Sequence, residues 1–139
     1  VMPFVMTLLM AFQRVMSKGL LDRYPDLRVA FLEAGCQWVP FLVDRISEYS
    51  DRPGYLSKLQ PRDYISRGQV FFGAEVDDAL LPYAMGEFGD DCWIYASDIP
   101  HADRRLGSVK EFLARKDLTE ESKRKMLVDN TARFYDLPF

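Results

Sequence analysis

The sequence is poor in several features that mark particular classes of protein. Its 139 residues include two cysteines and one histidine, and the 18 basic residues are outnumbered by 21 acidic ones. Two cysteines cannot build a dense disulfide framework, and the apolar surroundings of Cys36 and Cys92 are typical of buried free thiols. A net charge of −3 without a basic stripe argues against a nucleic-acid partner.

No hydrophobic run is long enough to indicate a membrane partner. The most apolar stretch, residues 1–12, falls short of the ~20 residues that a membrane-spanning helix requires. It also lacks the charged leader and the cleavage site of a signal peptide, so a cytoplasmic location is the default expectation. We expect a buried helix that continues to Leu21, with Met2, Met6 and Met10 packed in the core.

An apolar content of 48% over this length predicts one packed domain. Three short β-branched or aromatic runs are each followed by a helical pattern, which is typical of βα units on a parallel sheet and gives an α/β fold class. These runs are residues 28–33, 69–74 and 92–97. Asp77 or Asp78 is a candidate N-cap for the helix after the second run. The long connection 53–68 is expected to form part of a functional rim, because long loops in compact domains are often functional.

Acidic residues follow all three predicted strands. The first run ends at Glu33, the second leads into Glu75, and the third ends at Asp98, with His101 three residues later. In parallel α/β folds function collects at the carboxyl ends of the strands. If the three strands are neighbours, Glu33 and Asp98 lie about 10 Å apart at the backbone, because adjacent strands are separated by ~4.8 Å.

Three acids and one imidazole suit a divalent cation such as Zn²⁺, Mn²⁺ or Mg²⁺. Such an ion acidifies a bound water or polarises a carboxylate or carbonyl group of a substrate. A second interpretation stays open, in which the acids cap helices or bind loop amides and His101 is a surface residue.

Several longer segments resemble the amidohydrolase-related family (amidohydrolase 2). They include Tyr95-Ala-Ser-Asp-Ile-Pro-His101, and the remainder are residues 19–35, 38–45 and 118–135. The resemblance implies a (β/α)8 barrel that carries one divalent metal, in enzymes that include hydrolases, hydratases and non-oxidative decarboxylases of aromatic acids. It also implies that residues 1–139 are the C-terminal part of one barrel domain, with about strands six to eight, because a complete barrel needs ~250 residues.

The resemblance further implies roles for individual residues. Asp98 matches the acid after the eighth strand, which binds the metal and transfers protons, and His101 matches the histidine that often follows it. Glu33 stands near the place of a sixth-strand histidine that faces the metal-bound water in many members. No role is carried over to Glu75. The other metal ligands of the family would lie before Val1, in a missing N-terminal half.

Two hypotheses follow from the sequence. In the first, the parent protein is a metal-dependent hydrolase or decarboxylase of a small carboxylic-acid-type substrate, with Asp98, His101 and Glu33 as catalytic residues and Asp98 as metal ligand. Zinc is favoured as the metal, with manganese or magnesium as alternatives. In the second, the chain is an inactive half-barrel that acts through self-association or a protein partner. Whether the chain alone is an enzyme is left open.

Overall fold

The computed structural model describes residues 2–97, 101 and 106–138. Three strands alternate with helices in the described part of the chain, as the sequence predicted. In chain order the elements are α1 (Met2–Ser17), α2 (Leu20–Arg23), β1 (Val29–Phe31), α3 (Trp38–Glu48), α4 (Pro61–Ser66), β2 (Val70–Ala74), α5 (Leu81–Phe88), β3 (Trp93–Tyr95), α6 (Ser108–Leu113), α7 (Glu120–Arg124), a π-helical turn (Lys125–Asp129) and α8 (Asn130–Tyr135).

The three strands form one parallel sheet in the order β1-β2-β3. Phe31 pairs with Phe72, and Phe72 pairs with Trp93, so the three aromatic side chains stand in one row on the same face. All five residues of β2 are buried. The three strands are thus neighbours, as the predicted site at their carboxyl ends requires.

An aromatic layer joins the sheet to the first helices. Phe12 of α1 packs edge-on against Phe31 and against Trp38 of α3, with ring centroids 5.1 Å apart in both pairs. Since side chains alternate along a strand, Phe71 points to the opposite face, where its ring lies 5.3 Å from that of Phe134 in α8. Both faces of β2 are therefore covered, as its continuous apolar run predicts.

The expectation that the first helix is buried along its apolar run was wrong. Met2, Met6 and Met10 are 66%, 50% and 58% exposed, whereas Phe12 and Met16 are fully buried. At 3.6 residues per turn, Met10 lies on the side of α1 opposite Phe12. None of the helices in the described ranges has the length and apolar character that crossing a bilayer needs.

The expectation that the connection 53–68 forms part of the functional rim was also wrong. The Leu56 N–H donates to the carbonyl of Ser17 at 2.7 Å, and the Gly19 N–H donates to Ser57 Oγ at 2.9 Å, so the segment packs on the end of α1. Because α3 runs back across the sheet, the segment that joins it to β2 lies at the amino edge of the strands. It is on the opposite side from the predicted rim.

The last helical segment agrees with the prediction of a helix from Thr119 to about Tyr135. Thr119 Oγ1 accepts the Ser122 N–H at 3.0 Å, which caps the N-terminus of α7. The π-helical turn continues α7 into α8, where the buried side chain of Asn130 donates to the carbonyls of Asp90 and Trp93. This contact fixes the C-terminal helices to the amino end of β3.

Candidate functional site

The carboxyl edge of the sheet carries two of the predicted site residues. Glu33 follows β1 by two residues and is exposed, and Glu75 follows β2 directly and is half-buried. Since β1 and β2 are adjacent and parallel, both glutamates emerge at the same edge. His101, six residues beyond the end of β3, is exposed. Asp98, the predicted metal ligand, lies outside the described residues.

The turn after β1 is held in an uncommon backbone conformation. Glu33 has a φ of 65°, in the left-handed region that few residues other than glycine adopt, and Gly35 has the same φ. The turn passes close over β2, because a Cβ at Gly73 would lie 3.1 Å from Leu32 Cα and 3.2 Å from Glu33 N. A glycine at 73 therefore allows the backbone that carries Glu33 to lie directly on β2.

A buried carboxylate connects the two loops of this edge. Asp78 is only 4% exposed, and its Oδ1 accepts the Gln37 Nε2–H at 2.7 Å. Its Oδ2 accepts the Glu75 N–H at 2.9 Å. Gln37 immediately precedes α3, so Asp78 joins the segment after β1 to the segment after β2. The backbone of Glu75 is thereby fixed relative to the turn that carries Glu33.

Arg115 holds the same loop from the other side. Its guanidinium donates to the carbonyl oxygens of Asp78 at 2.9 Å and Val76 at 3.2 Å, and it forms an ion pair with Asp117 at 2.7 Å. The hydrogen bonds that Arg115 donates to the Asp117 carboxylate raise the pKa of Arg115 and lower the pKa of Asp117. The loop after β2 is thus tied both to α3 and to the segment after α6.

The sequence interpretation did not find this network. Asp78 was one of two candidate N-caps, but α5 begins at Leu81 and its N-cap, Leu80, makes no side-chain capping bond. Asp78 instead reaches back three residues to the Glu75 N–H. An aspartate four residues after the end of a buried strand is the local signal for such a turn.

The two cysteines are buried free thiols. Burial, followed by the charge of Asp78, raises the pKa of Cys36 to about 12. Burial likewise raises the pKa of Cys92 to about 12. Both side chains are free and buried, as the sequence predicted, and a protonated buried thiol is a poor nucleophile.

The described residues do not hold a metal ion by themselves. Within residues 2–97, 101 and 106–138, no three histidine, cysteine, aspartate or glutamate side chains are grouped so that they could bind one. The convergence of Glu33, Glu75, His101 and Asp98 on one ion stays a prediction. The described residues alone therefore do not supply enough ligands for a complete metal site.

Removing the Asp78 carboxylate is expected to destabilise the chain by about 1–2 kcal/mol, because Asp78→Ala leaves the half-buried Glu75 N–H without its acceptor and breaks the hydrogen bond to Gln37. Urea unfolding followed by circular dichroism measures the change. Asp51→Ala, at an exposed position, is the matched control and should shift the free energy of unfolding by less than about 0.5 kcal/mol. Equal effects of the two substitutions would contradict the structural role of Asp78.

Comparison with known proteins extends over nearly the whole chain. The family model described as Amidohydrolase matches residues 3–137. No curated protein matches the chain. Among solved structures, an amidohydrolase from Mycobacterium avium subsp. paratuberculosis shares 25% sequence identity, with a TM-score of 0.76 over 92% of this chain and 32% of that one.

Two further solved structures share the fold. The 5-carboxyvanillate decarboxylase from Sphingomonas paucimobilis is 21% identical, with a TM-score of 0.73 over 91% of this chain and 38% of its own. A dihydroxybenzoic acid decarboxylase from Polaromonas, with bound manganese and the inhibitor 2-nitroresorcinol, is 20% identical, with a TM-score of 0.75 over 93% of this chain and 40% of its own. The chain thus spans between a third and two fifths of the length of these proteins.

Proposed function

The chain belongs to the amidohydrolase family, and from this we propose that it is the C-terminal part of a metal-dependent (β/α)8 enzyme that acts on a small carboxylic acid. The observation that carries the proposal is the shared carboxyl edge of β1 and β2, where Glu33 and Glu75 emerge on loops fixed to each other by Asp78. Residues 1–139 would supply strands six to eight, and the earlier strands would supply the other metal ligands.

We assign the reaction as non-oxidative decarboxylation of an aromatic acid. Support comes from the fold shared with decarboxylases of 5-carboxyvanillate and dihydroxybenzoic acid. In the proposed site Asp98 is the metal ligand and the proton-transfer group, whereas His101 and Glu33 contact the substrate. Manganese is our first choice of metal, because the dihydroxybenzoic acid decarboxylase holds it. When bound, the ion would polarise the substrate's oxygen atoms.

The test uses the complete barrel protein loaded with manganese or with zinc. We expect release of carbon dioxide from a hydroxylated benzoate, measured with and without the metal, and no hydrolysis of a lactone or amide. Hydrolysis without decarboxylation would assign the reaction to the other class of the family. A complete protein that retains no metal and catalyses neither reaction would contradict the proposal.

Exposed apolar residues of α1 favour a second candidate function. Met2, Phe4, Met6 and Met10 are between 49% and 66% exposed, which is unusual for large apolar side chains placed in succession on one helix. The 139-residue chain would then act through self-association, without catalysis. Size-exclusion chromatography with light scattering and metal analysis distinguishes the two functions, because a stable oligomer that is metal-free and inactive supports the second.

A further inference from the structure

A cavity of about 430 Å³ lies at the amino edge, on the opposite side from the predicted site. It is open to solvent and is bordered by the C-terminal ends of α1 and α3 and by the turn that follows α3. A volume of this size is within the range of small-molecule sites in proteins. Its lining residues are Gln13, Ser17, Lys18, Leu42, Arg45, Ile46, Tyr49, Arg52, Pro53, Gly54 and Tyr55.

The inner wall of this amino-edge cavity is apolar and neutral. Leu42 and Ile46 of α3 contribute aliphatic surface, and Tyr55 contributes its ring. The Tyr55 hydroxyl donates to the carbonyl of Leu59 at 2.8 Å. Burial raises the pKa of Tyr55 to about 12, so the phenol is neutral at neutral pH. The wall can therefore accommodate an apolar group but offers no negative charge.

Three cations stand around this wall. The guanidinium carbon atoms of Arg45 and Arg52 lie 5.8 and 4.3 Å from the centroid of the same ring, that of Tyr49. Lys18 donates to the carbonyl of Gly54 at 2.9 Å, which places its ammonium group beside the turn. None of the described residues that line the cavity is acidic. Like charges repel one another, so an anion between these side chains would stabilise them.

The surrounding charges offset these cations only in part. Arg45 forms an exposed ion pair with Glu48 at 2.7 Å, and such pairs contribute little free energy in water. The C-terminal ends of α1 and α3 each carry about half a negative charge. Glu48 and these helix ends therefore reduce the positive charge near the cavity. All the charged side chains among its described lining residues are nevertheless cations, which favours an anionic ligand.

We propose that the amino-edge cavity binds a small aromatic carboxylate, with the carboxylate held by Lys18, Arg45 and Arg52 and the ring packed against Leu42 and Ile46. Guanidinium groups match a carboxylate because their planar N–H donors can form two parallel hydrogen bonds. The aliphatic wall adds affinity for the ring by burying its apolar surface. This binding site is separate from the carboxyl edge and does not depend on the proposed reaction.

Titration of the chain with benzoate, followed by amide chemical shifts, tests the proposal. We expect chemical-shift changes concentrated in residues 45–55. Acetate and benzyl alcohol should bind at least about tenfold more weakly than benzoate, because acetate lacks the ring and benzyl alcohol lacks the carboxylate. Arg45→Gln/Arg52→Gln should weaken benzoate binding about tenfold or more. Arg14→Gln/Arg67→Gln removes the same charge from exposed positions outside the cavity and should change the affinity less than about twofold.

A further variant tests the site without removing an arginine. Gln13→Glu places a carboxylate in the lining at an exposed position and should weaken benzoate binding at least about threefold by repulsion. The spectra of all variants report directly whether they are folded. Equal loss of affinity in the two double variants, equal binding of acetate and benzoate, or shifts confined to residues 73–78 would each overturn the proposal.

Discussion

Replacing Asp98 with alanine is expected to abolish tight metal retention in the complete barrel protein and to lower its activity by about a hundredfold or more. A carboxylate that binds a divalent ion directly cannot be replaced by a methyl group without loss of one ligand. Loss of a ligand lowers metal affinity by at least as much as loss of a supporting contact, which typically costs 10–100-fold. Elemental analysis after dialysis against a weak chelator measures the metal, and carbon dioxide release measures the activity.

The matched control for Asp98→Ala is again Asp51→Ala, because Asp51 is an exposed carboxylate on the segment that follows α3 at the amino edge. Its removal should leave the metal content and the activity unchanged. Glu33→Gln provides a second comparison, since we propose that Glu33 contacts the substrate and not the ion. It should retain the metal and lose activity. A full metal complement in Asp98→Ala would refute the assignment of Asp98 as a ligand.

Replacing Phe72 with alanine is expected to lower the free energy of unfolding by about 3–5 kcal/mol. Phe72 is fully buried, and its ring centroid lies 5.4 Å from Trp93, 5.6 Å from Trp38 and 5.8 Å from Phe12. The substitution removes the central ring of the aromatic layer and leaves a cavity between the sheet, α1 and α3. Urea unfolding monitored by tryptophan fluorescence and by circular dichroism measures the change.

Phe41 supplies the matched control for this substitution. It lies on α3 and is 66% exposed, so Phe41→Ala removes the same atoms from a position where they bury little apolar surface. The expected change is below about 0.5 kcal/mol. Similar losses at positions 41 and 72 would mean that the aromatic layer does not stabilise the fold.

The strands and their parallel direction could be predicted from the sequence, because the signals for each strand and for the helix after it are local. Each β-branched or aromatic run is bounded by residues that favour turns, and each is followed by a helical pattern. The runs 28–33, 69–74 and 92–97 contain β1, β2 and β3, and no end of a strand differs from its run by more than two residues. The apolar character of these runs also predicted that both faces of the sheet are covered.

The site could be predicted less completely, since its supporting contacts join distant parts of the chain. The hydrogen bond between Gln37 and Asp78 spans 41 residues, and no local pattern indicates it. The left-handed backbone of Glu33 was also beyond prediction, because a glutamate rarely adopts it. The position of the connection 53–68 was predicted wrongly for a different reason. Its length indicated function, but the direction of α3 determines the edge at which it lies.

The aromatic row of Phe31, Phe72 and Trp93 also bears on how the chain folds. Each parallel pair joins strands that are separated in sequence by whole helices, so no pair can form as a local hairpin. Loop-closure entropy must be overcome before the row gains any packing energy. Partly folded chains would therefore expose these rings until the strands have paired. Slow folding, and vulnerability to aggregation during it, is the kinetic consequence of building the core on non-local contacts.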